Sequence, residues 1–185
     1  EERLVRDSAR AWVSGEFLPR VQEHVRQDGS FPMELVPQMA ELGMFGANLK
    51  GYGCAGMNNV AYGLLMQELE RGDSGLRSFA SVQGALCMYP IHAYGTEAQK
   101  ERWLPGMATG ETIGCFGLTE PDHGSFVSGM TTRAERKGEG WVLNGVKRWI
   151  TNGSVAQLAV VWAITEDGVR GFLVETDRPG FEARD

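Results

Sequence analysis

The segment IGCFGLTEPDHGS, residues 113–125, marks the point where the sequence pattern changes from helical to strand-like. Its first half, from Ile113 to Leu118, is typical of a β-strand, and its second half is a turn rich in proline and glycine. Apolar residues recur at helical spacing before this segment, whereas short apolar runs separated by Gly, Asn and Asp follow it. The sequence therefore predicts an α+β protein with its helices first and its strands second.

The helical part is predicted to form one domain, residues 1–110. An apolar stripe over residues 2–26 predicts an amphipathic helix that needs a partner to cover it. Residues 58–70 and the nearly uncharged residues 78–94 predict two further helices, of which the second is buried on most sides. A capping box at Thr96 and Gln99 predicts a short helix that ends near Ala108.

The strand-like part, residues 111–185, is predicted to be a partial β domain. Its strands are predicted at residues 113–118, 130–136, 141–147, 158–164 and 171–175. An open sheet of four or five strands exposes apolar surface or an unpaired edge unless another element covers it. We therefore expect this chain to be the front part of something larger, or to be covered by a partner.

Composition excludes several function classes. The 185 residues carry a formal net charge of -6 without a basic cluster, so nucleic acid is not an expected partner. The apolar runs are too short to cross a membrane. Three scattered cysteines and three isolated histidines predict no disulfide framework and no metal site. No secretory signal is visible, so we expect a cytoplasmic protein, unless a targeting segment was removed.

Two segments carry groups that suit a planar cofactor. The loop from Phe116 to Ser125 brings backbone N–H groups and two hydroxyls to the end of a strand, where they can bind a flat heterocycle and an anionic tail. Trp149 offers an aromatic plane at the end of another predicted strand, with the hydroxyl of Thr151 two residues later on the same face. Together they predict a platform for a planar ring.

These two motifs, about thirty residues apart, resemble those of the acyl-CoA dehydrogenases, and within them most closely the glutaryl-CoA dehydrogenases. The resemblance extends over nearly the whole chain. It includes GDSGLRS at residues 72–78, SVQ at 81–83, YGTEAQK at 94–100, GCFGLTEP at 114–121 and KRWITN at 147–152.

The resemblance implies a helical N-terminal domain, the start of a β-barrel-like middle domain, and a C-terminal helical bundle that this chain does not contain. It also implies FAD as cofactor, with Thr119 near the isoalloxazine ring and Ser125 where the FAD phosphate meets the acyl-CoA. The residues that would bind FAD are Phe116, Gly117, Leu118, Thr119, Gly124, Ser125, Trp149, Ile150 and Thr151.

Substrate choice depends on Arg77 and its neighbours. An unpaired guanidinium at the start of an apolar helix is costly, so Arg77 either reaches solvent or meets an anion. In the glutaryl-CoA enzymes the matching Arg and Ser hold the far carboxylate of the substrate, which implies this role for Arg77 and Ser81. Ser78 and Ser125 complete the set of residues implied to bind substrate. The alternative is a structural pair between Arg77 and Asp73, four residues earlier.

The resemblance implies α,β-dehydrogenation of a short acyl-CoA, glutaryl-CoA first, with or without decarboxylation, and hydride transfer to the flavin. The catalytic base of the glutaryl-CoA enzymes lies in the C-terminal domain, so no catalytic residue is assigned here. A homotetramer, an electron-transferring flavoprotein as acceptor, and a mitochondrial matrix location in a eukaryote are also implied.

One residue departs from the family pattern. Phe126 stands where a short polar residue usually holds the loop, which leaves open a weaker FAD site. Dehydrogenation of another short or branched acyl-CoA, and a scaffold of the same fold without turnover, therefore remain alternatives.

Overall fold

The chain divides at the start of the segment quoted above into two units, Glu1–Thr112 and Ile113–Asp185. The structure is a computed structural model that describes residues 1–27 and 31–184, so Asp185, the predicted end of the second domain, lies outside the described residues. The first unit is helical and the second is built on a sheet, which confirms the predicted α+β class.

The first unit buries the apolar stripe of its N-terminal helix. Trp12, Val13 and Phe17 are buried on that stripe, which continues from α-helix into a short π-helix. The capping box of Thr96 and Gln99 is present and starts α7. The helices are α1 (Glu2–Trp12), a π-helix (Val13–Phe17), α2 (Leu18–Gln27), a 3-10 helix (Met33–Leu35), α3 (Val36–Glu41), α4 (Asn59–Gly72), α5 (Ser74–Ser81), a second π-helix (Val82–Met88), α6 (Tyr89–Tyr94) and α7 (Glu97–Ala108).

The helix predicted over residues 78–94 begins earlier than expected, at Ser74, and changes from an α-helix to a π-helix after Ser81. Asp73 ends α4 and also caps α5, because its carboxylate accepts the backbone N–H of Gly75 at 2.7 Å. The π-helix follows where Gly84 passes the backbone of Gly46, since a Cβ on Gly84 would lie 2.9 Å from the Gly46 nitrogen. A close backbone approach therefore fixes Gly84, and the buried Gln83 beside it is held by a hydrogen bond from its amide to the Met107 carbonyl.

A buried carboxylate joins α1 to α4. Glu68 is fully buried and accepts hydrogen bonds from Arg10 at 2.6 Å and from Arg71 at 2.8 Å. The hydrogen bonds from Arg10 hold the pKa of Glu68 below its usual value, although burial acts in the opposite direction. Glu68 therefore has a structural role in the helical unit.

The second unit contains a five-stranded mixed sheet with β4 (Leu158–Thr165) at its centre. One edge of β4 pairs antiparallel with β5 (Gly168–Glu175) along its full length. The other edge pairs parallel with β1 (Gly114–Gly117), and at its end with β2 (Arg133–Lys137), which forms a hairpin with β3 (Gly140–Asn144). A short 3-10 helix, Val127–Gly129, lies between β1 and β2.

Three predicted strands are shorter than expected, the first of them β1, which covers Gly114–Gly117 instead of residues 113–118. The predicted strand at residues 130–136 begins only at Arg133, because the backbone N–H groups of Thr131 and Thr132 bind the Glu120 carboxylate instead of a strand. The predicted strand at residues 141–147 ends at Asn144. The sequence pattern did not reveal the last two limits because both follow from contacts with residues far away in the chain. Among the described helices, none has the length and apolar character needed to cross a membrane.

We predict that Glu68→Ala lowers the free energy of unfolding by about 2 kcal/mol. Removal of the carboxylate leaves a small void and two unpaired guanidiniums, but both arginines are partly exposed and regain water, so the cost stays below that of a fully buried unpaired charge. Urea denaturation of the purified protein measures the change. Glu16→Ala, which removes an exposed pair with Arg20, should change stability by less than about 1 kcal/mol; equal losses in both variants would contradict the prediction.

Candidate cofactor and substrate sites

The loop after β1 is a tight turn. Glu120 and His123 exchange two backbone hydrogen bonds, both of 3.2 Å, so the chain reverses over Pro121 and Asp122. Proline at the second position of a turn fits because its ring fixes φ near the required value. The turn presents Gly124 and Ser125 to solvent.

The carboxylate of Glu120 holds this loop from inside. It is 3% exposed and accepts hydrogen bonds from the Thr131 backbone at 2.6 Å, the Thr131 hydroxyl at 2.8 Å and the Thr132 backbone at 2.9 Å. The Lys147 ammonium donates to the same carboxylate at 2.9 Å and to the Leu118 carbonyl at 3.1 Å. One buried carboxylate thus joins three segments that are distant in sequence.

These donors determine the charge state of Glu120. Burial by itself raises the pKa of this carboxyl, but the hydrogen bonds from Thr132, Lys147 and Thr131 outweigh burial and hold the pKa of Glu120 far below its usual range. The carboxylate therefore stays ionised at neutral pH. Because fixed donors surround it, Glu120 is poorly suited to accept a proton from a substrate.

The same network brings the two predicted cofactor segments together. The backbone N–H of Arg148, next to Lys147, donates to the Thr119 carbonyl at 2.9 Å. Gly117 lies under the Lys147 side chain, since a Cβ there would be 3.3 Å from its Cγ. Residues 117–120 and 147–148 therefore run side by side, and Trp149 follows directly. Sequence reasoning missed the role of Lys147, because nothing local distinguishes it from a surface lysine.

Trp149 differs from the expectation in its backbone. It does not lie at the end of a strand: its φ is +57°, in the left-handed region, and its side chain is 81% exposed. The strand alternation that would place Thr151 on the same face as Trp149 is therefore wrong. A bulky residue with positive φ is uncommon and costs about 1–2 kcal/mol, and such strain occurs mostly at functional sites. The Arg148 guanidinium lies over the indole, 4.9 Å from the ring centroid.

Ile150 and Thr151 face different surroundings. Ile150 packs against the buried cluster of Cys115, Ala156 and Ala159, so it anchors the loop to the sheet. Thr151 is exposed. The amide of Asn152, itself at φ +66°, donates to the Gly114 carbonyl at 3.2 Å and closes the turn.

The groups available for a planar cofactor are three hydroxyls and one exposed indole. The hydroxyls of Thr119, Ser125 and Thr151 have no hydrogen-bond partner within residues 1–27 and 31–184, so they are free to bind a heterocycle. The exposed indole of Trp149, two residues before Thr151, supplies an aromatic plane. Phe116 packs edge-on against Trp162 at 6.0 Å. This set fits a flavin, which needs both a flat apolar contact and hydrogen-bonding groups at its edge.

Phe126 has no part in holding the loop through its side chain. It is 66% exposed, and its ring is tilted against His123 with centroids 6.2 Å apart. Its backbone carbonyl accepts the Gly129 N–H at 3.1 Å, which starts the 3-10 turn. The loop geometry is therefore kept by backbone bonds and by Glu120.

In the helical unit, α5 places Arg77, Ser78 and Ser81 close together. The Arg77 Nε donates to Glu70 at 2.7 Å and its Nη1 lies 3.4 Å from the Ser81 hydroxyl, which itself donates to the Ser78 carbonyl. The alternative pairing with Asp73 is wrong, because that carboxylate caps α5. A structural partner nevertheless exists in Glu70, whose pKa is lowered by the hydrogen bond from Arg77.

The side chain of Arg77 is 36% exposed, and no hydrogen bond is made by its Nη2 within the described part of the chain. Tyr62 is a neighbour that the sequence did not indicate: burial raises its pKa and the charge of Arg77 acts against that rise. Both Tyr62 and Glu70 lie on α4, and their proximity to Arg77 follows from the packing of two helices rather than from spacing. Among the described residues, no group of three or more His, Cys, Asp or Glu side chains is placed to hold a metal ion.

Comparison with known proteins gives a consistent result. Residues 1–111 match the family model of the acyl-CoA dehydrogenase N-terminal domain, and residues 115–185 match that of the acyl-CoA dehydrogenase middle domain. A glutaryl-CoA dehydrogenase from Mycobacterium smegmatis, solved in complex with FADH2, is 54% identical, with a TM-score of 0.96 over 99% of this chain and 47% of that chain.

Two curated relatives extend the comparison. The probable acyl-CoA dehydrogenase YngJ of Bacillus subtilis (strain 168) is 38% identical over 97% of this chain and 49% of its own length. The mitochondrial short-chain specific acyl-CoA dehydrogenase of Bos taurus is 35% identical over 96% of this chain and 44% of its own length. The chain thus spans about half the length of the relatives that it matches.

We predict that Glu120→Gln lowers the free energy of unfolding by about 3 kcal/mol at pH 7, because it leaves the Lys147 ammonium, which is mostly buried, without its counter-charge. The loss should depend on pH. Since the folded-state pKa of Glu120 is depressed, its stabilisation is fully present above the unfolded-state pKa of about 4.3 and declines as the pH falls below that value.

Urea denaturation between pH 7 and pH 3 tests this. The stabilities of wild type and Glu120→Gln should approach each other at the acid end of that range. Glu135→Gln, at an exposed position on β2, should stay within about 0.5 kcal/mol of wild type throughout. A difference that does not change with pH would contradict the assigned charge state.

Proposed function

Because the chain belongs to the acyl-CoA dehydrogenase family, we propose that it forms part of an FAD-dependent dehydrogenase that oxidises a short acyl-CoA thioester between its α and β carbons, with glutaryl-CoA as the first candidate substrate. The observation that carries the substrate assignment is Arg77, whose Nη1 lies 3.4 Å from the Ser81 hydroxyl and whose Nη2 makes no hydrogen bond within the described residues. A guanidinium with adjacent hydroxyls matches a carboxylate in shape and charge.

In this proposal the second unit binds the flavin. Thr119, Ser125 and Thr151 supply hydroxyls, and Trp149 supplies the aromatic contact. The remaining residues of the set shape the loops around these groups: they are Phe116, Gly117, Leu118, Gly124 and Ile150. When bound, FAD supplies the hydride acceptor. Glu120 and Lys147 keep both loops in place and take no part in proton transfer.

The first unit binds the distal carboxylate of the substrate. Arg77 provides the charge, and Ser78 and Ser81 lie beside it on α5. Glu70 holds Nε, so the remaining N–H groups of Arg77 are oriented before substrate arrives. Orientation in advance reduces the entropy cost of binding.

The proton on the α carbon needs a carboxylate base, and the described carboxylates at these sites are committed elsewhere. Glu68 and Glu120 are buried in ion pairs, and Glu70 pairs with Arg77. We propose, as the resemblance to the glutaryl-CoA dehydrogenases implies, that the base lies outside residues 1–185. A homotetramer, and an electron-transferring flavoprotein as electron acceptor, complete the proposal.

A second candidate keeps the chemistry and changes the substrate to another short or branched acyl-CoA. It is favoured by the Glu70 pair, which already supplies Arg77 with a counter-charge. A third candidate, a scaffold without turnover, is favoured by the exposed Phe126 in the cofactor loop.

The visible spectrum of the native protein, recorded anaerobically before and after addition of glutaryl-CoA, separates the three candidates. We expect a yellow protein that bleaches, because reduction of the bound flavin removes its absorption near the blue end of the spectrum. Bleaching by butyryl-CoA but not by glutaryl-CoA would favour the second candidate. A protein that stays colourless with added FAD would favour the scaffold.

Arg77→Ala tests the role of the guanidinium. We expect kcat/KM for glutaryl-CoA to fall about 100-fold, which corresponds to about 3 kcal/mol for a lost charged hydrogen bond to a buried carboxylate, while kcat/KM for butyryl-CoA changes little. Arg3→Ala, which removes an exposed guanidinium on α1, serves as the matched control and should leave both values unchanged. Equal losses on both substrates in Arg77→Ala would contradict carboxylate recognition.

A further inference from the structure

The pair of Arg148 and Trp149 is built in an unusual way. Trp149 adopts the left-handed conformation that bulky residues avoid, and 81% of its side chain is exposed. The indole is not buried in the core, so hydrophobic packing does not offset the backbone strain. The preceding residue, Arg148, has its backbone fixed by the hydrogen bond to the Thr119 carbonyl. A strained and exposed aromatic whose neighbour is fixed in this way is typical of a binding site.

The Arg148 guanidinium covers one face of that indole. The distance of 4.9 Å from Cζ to the ring centroid is within the range of a cation–π contact, which holds the ring in one orientation. A guanidinium on one face leaves the opposite face and the edges of the indole open. No carboxylate in the described part of the chain forms an ion pair with Arg148, so its positive charge is not neutralised locally.

We propose that Arg148 is a positioning residue for the flavin: it holds the indole of Trp149 ready for contact with the cofactor and places a positive charge beside it. This inference rests on the proposed function. The stack reduces the rotamer freedom that Trp149 would lose on binding, so it strengthens affinity without a contact of its own. The charge favours any ligand state that gains negative charge, and a reduced flavin is such a state.

The chain contains a matched control. Arg136 lies over Trp141 in the β2–β3 hairpin, 5.8 Å from the ring centroid. It is the same kind of contact, but neither residue belongs to the set proposed to bind FAD. Removal of the Arg136 guanidinium therefore measures what a lost cation–π contact does to the fold alone.

The experiment compares wild type with Arg148→Gln, Arg148→Lys and Arg136→Gln. Two quantities are measured: the dissociation constant for FAD, by titration of the apoprotein followed through flavin fluorescence, and the midpoint potential of the bound flavin. Neither depends on turnover. Both substitutions at residue 148 keep the backbone N–H that binds Thr119.

We expect Arg148→Gln to bind FAD about fivefold more weakly and to shift the two-electron reduction equilibrium about tenfold toward the oxidised form, which is about 30 mV. Arg148→Lys keeps the charge, so it should keep the wild-type potential and lose about twofold in affinity. Arg136→Gln should match wild type in both quantities.

Three results would overturn the inference. They are wild-type affinity and potential in Arg148→Gln, equal effects in Arg148→Gln and Arg136→Gln, and a potential in Arg148→Lys that falls as far as in Arg148→Gln. If Arg148→Gln does not fold, Arg148→Lys decides through its affinity for FAD, because wild-type affinity in that variant would overturn the inference. A wild-type protein that binds no FAD has a different meaning, because it overturns the proposed function itself.

Discussion

The ionised carboxylate of Glu120 is the constraint on which the candidate cofactor site depends. Three segments meet at it: the loop that carries Glu120, residues 131–132, and Lys147, of which the last two supply the hydrogen-bond donors. Removal of one partner would leave the others buried and unsatisfied, which makes the arrangement cooperative. The loops that carry Thr119 and Trp149 are adjacent because both are attached to this one group.

The helical unit uses the same physical device for a different purpose. Glu68 is surrounded by Arg10 and Arg71 and fixes α1 against α4, so it serves stability. Glu70, two residues later, pairs with Arg77 near the surface and leaves part of that guanidinium free. Both arginines of the first cluster bind the buried Glu68, whereas Nη2 of Arg77 makes no hydrogen bond within the described residues, which makes Arg77 the candidate for binding an anion.

The strained residues of the second unit lie close to one another in sequence. Trp149 and Asn152 both have positive φ, and both belong to the short loop that β3 and β4 enclose. Asn152 recovers part of the cost by its hydrogen bond to Gly114 and by starting the turn to Ala156. The side chain of Trp149 makes no comparable hydrogen bond within the described residues. The strain at Asn152 is therefore structural, whereas the strain at Trp149 is of the kind that serves a ligand.

Local chemistry in the sequence determined the order of helices before strands, the cap at Thr96, the central strand β4 and the two segments suited to a planar ring. Each of these depends on residues within a few positions of one another, so periodicity and turn residues are sufficient to predict them. Only the tertiary structure decided that Glu120 is held ionised by Lys147, that Arg77 pairs with Glu70 rather than Asp73, and that Trp149 leaves the strand conformation. These outcomes depend on which groups the folded chain brings into contact, and sequence spacing does not determine those contacts.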